Sequence, residues 1–144
     1  MLLSGRWIFC AFYCCLFITW VGCGRSDDDL QRVIVSGTVT WNGTQVKDGH
    51  LKLVPTAGTQ TPGSSVQIVD GQYRLANRGG VAVGTYRVEI TAFHTLPPAP
   101  ENHDVDSTGI REQYLPERFN VNSKIELTVP SGARQIQHDF HLQP

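Results

Sequence analysis

The sequence predicts an all-β protein, a seven-stranded antiparallel β-sandwich that follows an N-terminal signal peptide. The apolar runs after residue 30 are short, and apolar residues alternate in them with polar ones, which is typical of strands with one buried face. Turn-forming dipeptides separate the runs, and no run repeats with helical spacing. Because each apolar face needs a second layer to cover it, we expect two packed sheets.

The clearest strand signal lies in residues 81–92. Side chains alternate between the two faces of a strand, so Arg87, Glu89 and Thr91 share a polar face. The apolar face carries Tyr86, Val88, Ile90 and Ala92. We therefore expect this strand to be half-buried and central to the sheet.

Six further strands complete the expected sandwich. Asn42-Gly43 and Asp70-Gly71 are dipeptides suited to tight hairpin turns, and each follows an alternating run. Pro116 makes residues 114–120 a short edge segment, since proline cannot donate to a central ladder. The inward residues of the six strands are Val33, Val35, Val39 and Trp41; Leu51 and Leu53; Val66 and Ile68; Tyr73 and Leu75; Ile125, Leu127 and Val129; and Ile136, His138, Phe140 and Leu142.

The first residues have the pattern of a signal peptide. Arg6 precedes an apolar run of 15 residues, 7–21, which is shorter than the roughly 20 residues needed to span a bilayer. All four cysteines lie before residue 24, so a disulfide framework is excluded for the folded part. We expect the folded part to be secreted across the cytoplasmic membrane.

Residues 21–23, Val-Gly-Cys, resemble the lipobox of bacterial lipoproteins, although Trp20 stands where that family usually carries an aliphatic residue. The resemblance implies cleavage before Cys23 and a diacylglyceryl thioether on its sulfur. It divides the chain into a signal peptide (1–22), a lipidated cysteine with an acidic tether (23–30) and a β-domain (31–144). Cleavage by ordinary signal peptidase and an uncleaved anchor remain alternatives, and both also put the domain outside the cytoplasm.

The charge balance argues against a nucleic-acid partner. Removal of residues 1–22 takes Arg6 away and leaves 11 of the 12 Lys+Arg against 13 Asp+Glu, a net charge of −2. A nucleic-acid-binding domain is expected to carry an excess of basic residues. The membrane, reached through the lipid, and an unidentified envelope protein are the partners that we expect.

Residues 35–46, Val-Ser-Gly-Thr-Val-Thr-Trp-Asn-Gly-Thr-Gln-Val, resemble the opening of carboxypeptidase regulatory-like, transthyretin-like domains, with Gln45 in place of the usual proline. Residues 70–75 and 83–88 resemble the two later signatures of that family. Residues 114–120 and 139–142 are similar to the version in small planctomycete-type lipoproteins. The resemblance spans residues 33–142, and it implies a prealbumin-like (Ig-like) sandwich with no particular activity.

No candidate catalytic set emerges from the sequence. The chain lacks the Gly-x-Ser-x-Gly elbow of serine hydrolases. It also lacks the C-terminal Tyr-Arg-Gly-Ser of the transthyretin-related hydrolase of urate breakdown, since it ends at Pro144. We therefore expect no enzymatic activity and no cofactor.

Residues 94–113 form the longest expected loop, and it begins like a calcium-binding loop. Asp104, Asp106 and Thr108 stand at its first, third and fifth positions, ahead of a glycine. Leu115 occupies the twelfth position, where such loops need a bidentate glutamate. We expect a solvated turn rather than a metal site.

Histidines give no better metal site. His94 and His103 flank the proline-rich part of the loop, but zinc needs three or four converging ligands. His138 and His141 point to opposite faces of a strand unless a bulge intervenes. We expect His138 at the edge of the core.

The expected function is that of a membrane-anchored lipoprotein at the periplasmic or cell-surface face of the envelope. Its β-sandwich would be non-catalytic, in a structural or protein-interaction role. The alternative is a ligand-binding module that uses the 94–113 loop for calcium or a glycan. Trp41, the only tryptophan after Cys23, is expected in the core rather than on a sugar-binding surface.

Overall fold

The computed structural model describes residues 30–56, 58–96 and 110–144, and within them the chain is all-β. The strands are β1 (Arg32–Trp41), β2 (Thr44–Gln45), β3 (Asp48–Pro55), β4 (Ser64–Val69), β5 (Gln72–Leu75), β6 (Val81–Ala82), β7 (Gly84–Leu96), β8 (Ile110–Gln113), β9 (Glu126–Val129), β10 (Gln135–Gln137) and β11 (Phe140–Leu142). Short 3-10 turns occupy Asn77–Gly79 and Glu117–Phe119. These residues include no helix that is long and apolar enough to cross a membrane.

The strands form one curled sheet in the order β10-β1-β5-β4-β3-β7-β8. Strands β2, β6 and β11 also pair with β1, and β9 pairs with β7. The curl arises at the β4–β5 hairpin, which keeps only the pair Val69 and Gln72. Beyond that pair β4 continues along β3 and β5 continues along β1, so the two strands lead into different parts of the sheet.

Strand β7 has the alternation that the sequence predicts. Its inward side chains are fully buried, whereas Arg87, Glu89 and Thr91 lie half-buried on the opposite face. The buried set is Tyr86, Val88, Ile90 and Ala92. These residues share one core cluster with Val33, Val35 and Val39 of β1. The all-β class and the buried apolar face of this strand are therefore confirmed.

Eleven strands stand in the described residues where the sequence predicts seven. Two predicted strands are each divided in two, and β2 and β8 are additional. The segment 81–92 divides at Val83, whose N–H donates to the carbonyl of Gln31 (3.1 Å). Strand β6 thus pairs with the start of β1, while β7 pairs with β3 and β9.

Two local expectations need correction. Residues 114–120 contain the 3-10 turn Glu117–Phe119 rather than an edge strand, and Leu115 is buried within them. The loop expected at 94–113 is shorter, because β7 continues to Leu96 and pairs there with β8. His94 therefore lies in strand β7 and not in the expected loop.

The expectation of a purely antiparallel sheet is wrong at the last strand. Strands β10 and β11 run parallel to β1 in one register, with Ile34 opposite Gln135 and Val39 opposite Phe140. Between β10 and β11, the Asp139 carboxylate takes the place of a backbone carbonyl as hydrogen-bond acceptor for β1. The N–H and the hydroxyl of Thr38 donate to its Oδ1 at 2.7 and 2.9 Å. A Cβ at Gly37 would overlap the carbonyl of His138, so only glycine fits this approach.

Tyr86→Ala should lower the free energy of unfolding of residues 31–144 by about 3–5 kcal/mol, because it empties a fully buried site. The Tyr86 hydroxyl donates to the carbonyl of Ala82 (2.8 Å), so Tyr86→Phe should cost about 1–3 kcal/mol. Urea denaturation measures both. Val121→Ala, at a side chain 64% exposed, is the control and should stay within about 0.5 kcal/mol. A Tyr86→Ala cost under about 1 kcal/mol would mean that β7 is not central.

Asp139→Asn should reduce the loss of stability in acid. The hydrogen bonds from the backbone N–H and hydroxyl of Thr38 lower the pKa of the Asp139 carboxyl below its ordinary value. A carboxyl whose pKa is lower in the folded than in the unfolded state stabilises the fold at any pH above its unfolded-state pKa, near 4. This stabilisation disappears as the pH falls through the folded-state pKa. Melting temperatures between pH 7 and pH 2 should therefore fall less steeply below about pH 4 in the variant. Identical pH profiles would contradict this role of Asp139.

Candidate functional site

A groove of about 360 Å³ opens where β1 and β7 end, and we refer to it as the aromatic groove. Its lining consists of Trp41, Thr44, Gln45, Lys47, Phe93, His94 and Tyr114. Trp41 is the last residue of β1, and His94 lies near the end of β7 on the same inward face as Tyr86. The volume falls at the lower end of the roughly 300–1,000 Å³ typical of small-molecule sites.

One wall of the groove is a stacked pair of rings. The centroids of His94 and Tyr114 lie 4.0 Å apart at an interplanar angle of 14°. The backbone fixes this pair, because the Tyr114 N–H donates to the carbonyl of Ala92 (3.1 Å), two residues before His94. Burial raises the pKa of the Tyr114 hydroxyl. At neutral pH that hydroxyl therefore keeps its proton and can both donate and accept a hydrogen bond.

Trp41 contributes a second aromatic surface to the groove. The Phe119 ring meets it edge to face, with centroids 5.6 Å apart at 75°. Trp41 is half-buried and packs against the core on one side, while it lines the groove on the other. The sequence-based expectation of a core position therefore describes only part of its surroundings.

Phe93 is held from the outer side of the sheet. The Arg111 guanidinium lies 4.4 Å from its ring centroid, and Arg111 Nη2 also pairs with Asp48 Oδ2 at 2.6 Å. The His50 ring approaches Phe93 edge to face at 6.2 Å. Arg111 and Asp48 thus neutralise each other beside the groove, and among the described residues that line it, Lys47 carries the only formal charge when His94 is neutral.

Most candidate metal ligands of the 94–113 segment lie outside the described part of the chain. Asp104, Asp106, Thr108 and His103 lie outside the described residues, as does Cys23. Leu115, at the twelfth position of the calcium-like motif, is buried in the core and offers no oxygen ligand there. In residues 30–56, 58–96 and 110–144, no three His, Cys, Asp or Glu side chains converge as a metal site.

The C-terminal histidines have separate contacts. The His138 ring meets Phe140 edge to face with centroids 4.7 Å apart, and its carbonyl accepts a hydrogen bond from the Tyr73 hydroxyl (2.6 Å). His141 Nδ1 lies 3.0 Å from the hydroxyl oxygen of Thr40. The break between β10 and β11 separates the two residues. His138 is half-buried, as expected for the edge of the core.

Sequence reasoning missed the aromatic groove. A sequence signal for the groove existed, because aromatic residues are frequent on both sides of the 97–109 segment. They are Phe93, Tyr114 and Phe119. Their approach to Trp41 depends on the pairing of β1 with β6 and of β7 with β8, which joins parts of the chain far apart in sequence. Gln45 and Lys47 carry no sequence signal of their own.

Comparison with known proteins leaves the family open. No family model and no curated protein matches the chain. A solved structure of a 9R-lipoxygenase from Cyanothece PCC8801 is similar over 79% of this chain and 16% of that chain, with 11% identity and a TM-score of 0.35. The chain thus spans about a sixth of that protein, and the similarity is too low to support a fold family or an activity.

Calcium should leave the melting temperature of the protein unchanged at millimolar concentration. Leu115 is buried where a calcium loop needs its glutamate, so the remaining carboxylates lack the bidentate ligand. A true site would stabilise the fold by about 2.7 kcal/mol at a hundredfold excess of calcium over its Kd. Asp104→Asn/Asp106→Asn is the matched variant and should melt like the wild type. A calcium-dependent rise that this double change removes would make 97–109 a metal site.

Proposed function

We propose that this protein is a lipid-anchored lipoprotein of the cell envelope whose β-domain is a non-catalytic binding module, with the aromatic groove as its binding site. The observation that carries the proposal is the groove itself. Three half-buried aromatic side chains, Trp41, Phe93 and Tyr114, share it with polar groups at its rim. Small-molecule sites combine this apolar lining with a few polar groups that orient a ligand.

The proposed domain is a prealbumin-like sandwich. The curled all-β sheet and its single core cluster support this arrangement. The Asn42-Gly43 and Asp70-Gly71 turns, both with positive φ at both residues, also agree with the family signatures on which the resemblance rests. A fold of this kind hosts many functions, so the binding role depends on the groove and not on the fold.

The position of the groove suits a protein anchored at Cys23. A tether from Cys23 would join the domain at Arg32, where β1 begins, whereas Trp41 ends the same strand. Nine steps at about 3.3 Å each separate the two ends by about 30 Å. With a membrane at the Arg32 end, the aromatic groove would face away from the lipid and towards soluble or wall-bound partners.

Cys23→Ser should abolish lipid labelling and release the protein from membranes. The lipobox-like residues 21–23 predict a thioether-linked diacylglyceryl group, and two or more acyl chains are needed for firm anchoring. Growth with labelled palmitate, followed by membrane fractionation, measures both effects. Cys15→Ser, within the apolar run, is the control and should retain label and location. A wild-type protein that is cleaved elsewhere and carries no lipid would contradict the anchor.

The binding role is tested separately by fluorescence. In a chain cleaved before Cys23, Trp41 is the sole tryptophan, so its emission reports the groove directly. A panel of simple saccharides, amino-acid amides and aromatic carboxylates should contain at least one class that shifts this emission. His94→Ala should weaken the response, and Asn77→Ala, at the opposite end of the domain, should not. A purely structural protein would respond to none of the compounds.

A further inference from the structure

We infer that the aromatic groove takes an acidic saccharide, such as one or two uronate residues of an envelope or extracellular polysaccharide. This inference rests on the proposed binding role and adds the chemical class of the ligand. It follows from three properties of the lining: the faces of its rings, the polar groups beside them and its charge.

The rings provide the surface on which a sugar ring can stack. An aromatic face carries the negative part of the ring quadrupole, and the C–H groups on one face of a pyranose carry partial positive charge. The stacked pair of His94 and Tyr114 forms one such wall, and Trp41 adds a further ring to the lining. Because His94 is exposed, one side of the stack is open to a ligand.

The polar groups beside the rings match a ligand with many hydroxyls. The Gln45 amide donates and accepts hydrogen bonds, and the hydroxyls of Thr44 and Tyr114 do the same. Thr44 and Gln45 are exposed, so their hydrogen-bonding atoms are open to solvent or ligand. A purely apolar ligand would displace water from these groups without replacing its hydrogen bonds, which lowers affinity.

The charge of the lining selects an acid over a neutral sugar. Lys47 is exposed and is the one formally charged residue among the described residues that line the groove, while the nearby Asp48 is already paired with Arg111. Glu112 stands opposite His94 in the β7–β8 pairing but is not part of the lining. An ammonium group beside an aromatic wall favours a ring that bears a carboxylate, and it disfavours cationic ligands.

The size of the groove limits how much of the ligand it encloses. At about 360 Å³ it is close to the smallest volumes of known small-molecule sites. We therefore expect it to hold the end of a chain, or one or two rings of it, rather than a long segment.

Digalacturonate and a neutral disaccharide, cellobiose, are the probes that test this inference. The lipidated wild-type chain, purified from membranes in mild detergent, is titrated with each, and binding is followed by Trp41 emission and by calorimetry. We expect digalacturonate to bind about three- to tenfold more tightly than cellobiose, which is the range of one charged hydrogen bond at an exposed site.

Variants separate the two parts of the recognition. Lys47→Gln keeps a side-chain hydrogen-bond donor but removes the charge, and it should abolish the preference by weakening digalacturonate binding more than cellobiose binding. Lys124→Gln removes the same charge outside the groove lining and should leave the preference intact. His94→Ala should lower the affinity for both saccharides by about threefold or more. Because the His94 ring is exposed, this change should not unfold the protein.

Equal affinities for the two disaccharides, unaffected by Lys47→Gln, would overturn the acidic preference. A response to N-acetyltyrosinamide with none to either saccharide would show that the groove takes a peptide side chain, which overturns the ligand class and leaves the binding role standing. If none of these three compounds changes the Trp41 emission or gives heat of binding, the ligand class is overturned, and if the wider panel also gives no response, the binding role is overturned with it.

Discussion

The apolar inward faces of β1 and β7 are the constraint on which the rest of the structure depends. Val35 on β1 and Val88 on β7 are fully buried in one cluster, and a sheet face of this kind must be covered by another layer. The two strands also begin together, because Val83, just before β7, donates to the carbonyl of Gln31, just before β1. Since they start at one place and share a core, their far ends come close as well. The aromatic groove forms where these far ends of β1 and β7 approach each other.

The parts of the fold that depend on local pattern could be predicted from the sequence. Alternation with period two identifies β7 by itself, and positive φ at both Asn42 and Gly43 is what that dipeptide favours in a hairpin turn. The parallel pairing of β10 and β11 with β1 could not be predicted in this way. It depends on the Thr38 and Asp139 hydrogen bonds and on the empty Cβ position of Gly37, contacts between residues about a hundred positions apart. The sequence around Thr38 does not indicate a contact with Asp139, and the sequence around Asp139 does not indicate one with Thr38.

The candidate site shows the same division more sharply. The sequence drew attention to Asp104 and Asp106, because a calcium motif is read from consecutive residues, whereas Leu115 completes the core and not a metal site. The aromatic groove consists of side chains from β1, the β2 region, β7 and the residue after β8. Each of its rings taken alone is typical of a core residue. Only their arrangement at the common end of two strands distinguishes them, and that arrangement is a property of the topology.

The contacts around the groove hold its half-buried aromatic side chains in place without a ligand. Tyr114 is fixed through its backbone and through His94, and Phe93 is covered by an arginine that Asp48 holds in turn. Each such contact restricts the rings before anything binds, so less rotamer entropy remains to be lost on association. The same contacts neutralise Arg111 beside the groove, so Lys47 is the unpaired charged group among the described residues there. Rigidity of the aromatic walls and the choice of the charge that faces a ligand thus arise from one set of contacts.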